Sequence, residues 1–301
     1  MAQRARQAAG AAGSGGAAGS GGVPGTGKWP DSATTSCSDG VTFGVSCPGD
    51  GADYYGQDGN FEIDKPTYSV NGAVVTDSVL GLAWRLGNAQ TSHSGASAAC
   101  QGSGFGWRVP TFLELLSLMD YGASIDAVPA TFAKQGPFWA AETAPEAGTG
   151  WTFTADTGLP IPAPGSTLVS VLCVSGQPIS GAMGKPFNGT VQDGRTGLHW
   201  QTGTTPAETW KDALKYCKGA QGAGFATGWR LPSVKELLTI AKTDSKNAID
   251  LNVFNSAVPV WTSSPVATDG SKAWLVDFNP LTVTATAVTA TAEVRCVHGP
   301  S

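Results

Sequence analysis

The sequence predicts an α+β protein of two tandem modules, each with two helices and a small antiparallel sheet held by its own disulfide. Three observations carry that expectation. One ordered series of motifs occurs twice, the cysteines fall where a repeat explains them, and each copy runs from a strand signal through capped helical stretches to short aromatic and β-branched runs. At 301 residues the chain has room for two such units, each burying a core of its own.

The first copy contains Asp77, Gly81-Leu82, Trp84, Cys100, Gly106-Trp107-Arg108-Val109-Pro110, Glu114-Leu115-Leu116, Phe132, Trp139 and Cys173. The second returns the order as Asp193, Gly197-Leu198, Trp200, Cys217, Gly228-Trp229-Arg230-Leu231-Pro232, Glu236-Leu237-Leu238, Phe254, Trp261 and Cys296. The offset drifts only from 116, between Trp84 and Trp200, to 123, between Cys173 and Cys296, as small loop insertions would produce. Ten tryptophans, costly residues to place, then mark the cores.

Duplication settles the cysteine pairing. Cys100 and Cys173 must behave as Cys217 and Cys296 do, so each pair closes within its copy, and Cys37 and Cys47 are left to each other. Loop-closure entropy gives roughly 4 kcal/mol for each long bridge and roughly 3 for the short one, less any strain. Such bonds persist in oxidising compartments. Zinc is the rival reading, but no C-x-x-C pair occurs and His93, His199 and His298 are isolated, so no metal is expected.

Within copy two, Gly197 to Gln201 alternates apolar and polar residues as a half-buried strand does. Thr205, Pro206 and Glu208 read as the capping box of a first helix, whose Trp210, Ala213, Leu214 and Cys217 form an apolar face. Ser233 and Glu236 cap a second helix, with Thr111 and Glu114 in the same places of copy one. Strands are expected at 258–262, 273–278 and 294–297. The segments 263–272 and 279–291 read as loops, the usual seat of binding residues. The module boundaries are 66–175 and 186–299, preceded by a segment 28–65 holding the small disulfide loop.

Taken together, Asp-x-x-x-Gly-Leu-x-Trp, Gly-Trp-Arg-Leu-Pro-[Ser/Thr]-x-x-Glu-Leu, Trp-Thr-Ser-Ser and a terminal Val-Arg-Cys-Val resemble the C-terminal domain family of Legionella collagen-like protein. The second copy is the closer match, and the first departs at Val109, Ala140-Ala141 and Leu172. The resemblance implies a C-type-lectin-like architecture related to that of formylglycine-generating enzyme, in a family whose best-known members are adhesins for sulfated polysaccharide.

The Trp-Arg-x-Pro-x-x-x-Glu motif, comprising Trp107, Arg108, Pro110 and Glu114 and again Trp229, Arg230, Pro232 and Glu236, is read as structural, because capping alone explains its spacing. Asp77 and Asp193 set turns. No calcium is expected: neither Glu-Pro-Asn nor Trp-Asn-Asp occurs, and Gln57-Asp58-Gly59-Asn60 is too short for an EF-hand loop. Formylglycine-type chemistry needs reactive thiolates, and the pairing leaves none, so no enzyme and no cofactor are expected.

Charge separates the copies. Residues 66–175 hold three basic against seven acidic side chains, and 186–299 hold ten against nine. Lys211, Lys215 and Lys218 fall on one helix face opposite the apolar stripe, a candidate contact for acidic polysaccharide. Ser263, Ser264, Asp269, Lys272 and Asn279, in the two expected loops, complete the candidate ligand set. The expected partner is a glycan or a surface protein, with a structural role in an envelope assembly as the alternative and, behind it, a formylglycine-generating-enzyme-like enzyme.

A net charge of −5 argues against nucleic acid, and no apolar run is long enough to span a membrane. Residues 1–27 read as a disordered Ala/Gly/Ser tether without the apolar stretch of a secretory signal. The start is therefore read as processed, truncated or misassigned, with an extracellular or cell-surface location and a lipid anchor through a missing upstream signal.

Overall fold

The computed structural model describes residues 28–32, 34–86, 90–123, 126–130, 132, 136–222 and 224–299. The tether expected at 1–27 lies outside the described residues. The described part is mixed α+β, made mostly of small antiparallel sheets with few helices and three disulfides.

The chain opens with Cys37–Ser38 (β1) paired to Phe43–Val45 (β2). Tyr68–Asn71 (β3), Val74–Asp77 (β4) and Ala83–Leu86 (β5) follow as a meander. Asp77 makes the β4–β5 turn. One carboxylate oxygen accepts from the Val79 and Leu80 amides at 3.1 and 2.7 Å, and the other from the Leu82 amide at 3.2 Å and the Trp84 indole at 3.4 Å. A short helix Ala96–Gln101 (α1) carries Cys100.

Phe112–Leu118 (α2) begins with the expected cap. Thr111 Oγ1 accepts from the Glu114 amide at 3.3 Å, and a Glu114 carboxylate oxygen accepts from the Thr111 amide at 2.8 Å. Then come Phe138–Thr143 (β6), Thr149–Phe153 (β7) and Pro160–Pro164 (β8), a three-stranded sheet. Pro160, Pro162 and Pro164 alternate along β8 with Ile161 and Ala163. Leu172–Ser175 (β9) pairs with β5 to close the first four-stranded sheet, and Cys173 on it bonds Cys100.

The second half opens with Thr190–Gln192 (β10) and His199–Gln201 (β11), joined by an Asp193 turn in which the carboxylate accepts from the Arg195 amide at 2.9 Å. Thr205–Thr209 (β12) leads into Trp210–Lys218 (α3). The capping box expected at Thr205 is corrected here. Thr205, Pro206 and Glu208 lie in a strand paired with 291–294, and Thr209 is the cap, accepting from the Asp212 amide at 3.4 Å. The expected apolar face does point inward, with Trp210, Ala213, Leu214 and Cys217 buried.

Trp229–Arg230 (β13) precedes Val234–Leu237 (α4), capped by Ser233 and Glu236 as the sequence indicated. Val260–Val266 (β14), Asp269–Phe278 (β15), Leu281–Ala287 (β16), Thr291–Val294 (β17) and Val297–His298 (β18) end the fold. They form a five-stranded sheet ordered β12-β17-β14-β15-β16 and a four-stranded one ordered β10-β11-β18-β13. The strand expected at 294–297 is two strands in different sheets, divided at Arg295-Cys296. Cys296 bonds Cys217, tying that division point to α3.

Each half was expected to bury its own core. Instead the largest apolar cluster runs through both, from Trp84, Phe112 and Trp151 to Trp200, Leu237 and Phe254, with Trp29 joining from the N-terminal segment. Smaller clusters surround each long disulfide, one around Trp139 and one around Trp210 and Trp261.

Candidate functional site

The apolar side of α3 is sunk against Trp229 and Trp261, which leaves Lys211, Lys215 and Lys218 together on the outer side. Facing them is a loop of the N-terminal segment, and Gly51, Ala52, Asp53, Tyr54 and Tyr55 form the opposite wall of an open cleft. Lys211 Nζ lies 3.4 Å from an Asp53 carboxylate oxygen, and Lys218 pairs with Asp50. The Lys218 ammonium also stands 4.8 Å over the Tyr55 ring. The neighbouring Tyr54 ring, half-buried and 5.8 Å from that of Trp210, packs the loop against the helix. Chemically the cleft offers three ammonium groups and an aromatic face to an anionic ligand, against three carboxylates: Asp50 and Asp53 on the facing loop, and Asp212 on α3 itself, which accepts from Thr209 Oγ1 at 2.6 Å.

The helix periodicity located the lysines, but not what faces them. Asp50, Asp53, Tyr54 and Tyr55 carry no spacing signal. The Cys37–Cys47 bond, which makes an ordered structure of this short segment, is the one sequence feature that flags it.

The other candidate positions are scattered. Ser263 and Ser264 were placed in a loop; they are instead in the middle of β14, each 1% exposed. Ser264 Oγ accepts from the Val234 amide at 3.1 Å and donates to Asp58 at 2.5 Å, so it caps α4 from across the core. Asp269 and Lys272 open β15 and pair with each other at 3.0 Å. Hydrogen bonds from Ser271, and then from Lys272, hold the Asp269 carboxyl down at about 2. Asn279 sits in the exposed two-residue turn between β15 and β16. Most of the expected 279–291 loop is the strand β16, whose Thr-rich sequence pairs along β15.

A second concentration of titratable groups lies beneath α4. Arg230 grips Glu236 through two 2.6 Å bonds, as Arg108 grips Glu114, so each motif glutamate caps its helix and also holds the arginine. Burial would lower the Arg230 pKa, but Glu236 outweighs it and holds the value above the usual one. Burial, and then the Asp58 carboxyl, push Asp31 up to about 8; burial also raises Asp58. Lys235, buried with its ammonium donating to the Asp31 carbonyl at 3.0 Å, is lowered to about 8 by desolvation. Trp29, Phe61 and Ser263 of β14 line a small cavity with Asp31, Asp58, Arg230 and Glu236, and Asp31 and Lys235 also border a neighbouring cleft beside Tyr68 and Asp120.

His199 and His298, expected to be isolated, are opposite each other on β11 and β18, and Phe225 stacks on His298 with ring centres 3.8 Å apart. Burial lowers the pKa of both histidines. Among the described residues no group of three or more His, Cys, Asp or Glu side chains is placed to hold a metal ion, and no helix is long and apolar enough to cross a membrane.

No curated protein matches the chain. The three disulfides suit an oxidising compartment. Residues 189–298, the segment from the β10 edge to β18 that carries α3 and its lysines, match the family of the Lcl C-terminal domain.

Proposed function

We propose that the protein is a non-catalytic, extracellular or cell-surface binding protein whose two halves are copies of one lectin-like module. Its binding cleft, between α3 and the 51–55 loop, takes an anionic polysaccharide. The observation that carries the reading is the lysine row of α3, held clear of the core and walled by Tyr54 and Tyr55, within the segment that matches the Lcl C-terminal domain. The adhesive role of that family's best-known members supports it, as does a repeated internal plan. Each half has a helix-borne cysteine bonded to a late strand or its border, and a capped helix whose glutamate grips the motif arginine.

The absence of catalysis is supported by the chemistry available. All six cysteines are in disulfides, so none offers a thiolate. The Arg-Glu motif that invites a catalytic reading is engaged in capping and ion pairing.

A glycan array probed with the full chain tests the reading. Retention on acidic polysaccharides that weakens steeply between about 50 and 200 mM salt is expected. Binding to neutral glycans alone, or to nothing on the array, would remove the lysine cleft as the site.

A further inference from the structure

Resting on the binding role just described, we propose that Asp50 and Asp53 are a resident competitor at the lysine cleft and set the charge density a ligand must carry to enter it. Both carboxylates come from outside the segment that bears the lysines, and each occupies one end of the row: Asp53 on Lys211, Asp50 on Lys218. Lys215, between them, makes no ion pair among the described residues. The row spans roughly 10 Å along the helix at 1.5 Å per residue.

The acidic wall is fixed in place. Cys37–Cys47 closes its base, Asn60 Nδ2 donates to the Pro48 carbonyl at 2.8 Å, and Gln57 Nε2 donates to the Tyr54 carbonyl at 2.8 Å. Tyr54 itself is held at a φ of 62°, between Gly51 at 86° and Gly56 at 99°, a left-handed path that needs support from its surroundings. The aspartates therefore stay within reach of the lysines whether or not a ligand is present.

Their grip is weak. The side chains of Asp53 and Asp50 are 78% and 67% exposed, and water screens exposed pairs of this kind. A ligand can displace them. It must, however, outbid a carboxylate already held at high effective concentration beside each lysine. A chain bearing one carboxylate per sugar offers little more than Asp50 and Asp53 already do, whereas a chain with several anionic groups along the row engages all three lysines at once. Tyr55 keeps a face under Lys218 when Asp50 leaves.

The test uses the full chain and two probes, dextran sulfate as the dense polyanion and polygalacturonate as the carboxylate chain, titrated at constant ionic strength. Wild type is expected to favour dextran sulfate at least about tenfold. The Asp50→Asn/Asp53→Asn double variant is expected to gain roughly five- to tenfold for polygalacturonate and less for dextran sulfate, narrowing the ratio. An unchanged ratio in that variant, with binding lost in Lys211→Ala/Lys215→Ala/Lys218→Ala, would leave the cleft as the site but overturn the role of the aspartates. If wild type and every variant ignore both probes, the polysaccharide reading itself fails, and this inference with it.

Discussion

The Trp151 indole donates to the Thr243 carbonyl at 2.9 Å and so bonds a β7 side chain of the first half to the loop after α4 in the second. The same ring is 2% exposed and packs edge-on to Phe112, inside the apolar cluster common to both halves. A fold joined in this way should melt as one body. Calorimetry of the full chain is expected to give a single transition, and Trp151→Ala to lower all of it, at a cost of about 3–5 kcal/mol. Two separable transitions, with only one moved by the substitution, would show that the shared cluster does not couple the halves.

The two motif ion pairs should be costly to break in both halves. Arg230 is 5% exposed at the side chain and Arg108 30%, but the glutamates they hold, Glu236 at 9% and Glu114 at 0%, are both buried, so removing either arginine strands a carboxylate in the interior. Urea titration is expected to place Arg230→Met and Arg108→Met each about 3–5 kcal/mol below wild type, and a nearly neutral Arg108→Met would show that Glu114 finds water or a proton once its partner is gone.

Asp31 gives stability a pH dependence whose sign follows from its raised value. The folded state binds a proton that the unfolded chain releases near the ordinary 3.8, so the contribution is complete below about 4 and is lost as pH climbs through about 8. Melting temperatures should therefore fall between these limits. Asp31→Asn should flatten that slope, and an equally steep slope in the variant would exclude Asp31 as its source.

Cutting the short disulfide should act on binding more than on the core. Cys37→Ser/Cys47→Ser is expected to lose roughly 3 kcal/mol and to loosen the wall opposite α3, whereas Cys217→Ser/Cys296→Ser loses roughly 4 from the core around Trp210. Polyanion titration and thermal melts on the same two variants separate these effects: the first should shift the binding ratio at a modest drop in Tm, and the second should lower Tm more.

What the sequence made legible was local. Thr111 with Glu114, Ser233 with Glu236, and the turns at Asp77 and Asp193 are satisfied by backbone groups a few residues away, so spacing alone reveals them. Thr205 failed because its capping pattern competes with a partner 89 residues distant. Its strand pairs with Val294, and the helix waits until Thr209. Ser263 and Ser264 look like loop residues until β14 runs through the core and Asp58 supplies the partner that lets Ser264 be buried. The lysine row could be read from helical spacing, but its acidic wall could not, because residues 50–55 meet α3 only in three dimensions.

The three prolines of β8 have an effect beyond their own sheet. Ile161 and Ala163 direct their amides toward β7, and by alternation the opposite rim presents Pro160, Pro162 and Pro164, which have none to give. A stray strand arriving there finds acceptors without donors and cannot zip on, so crowding such molecules on a surface does not turn this margin into a seed for fibrils.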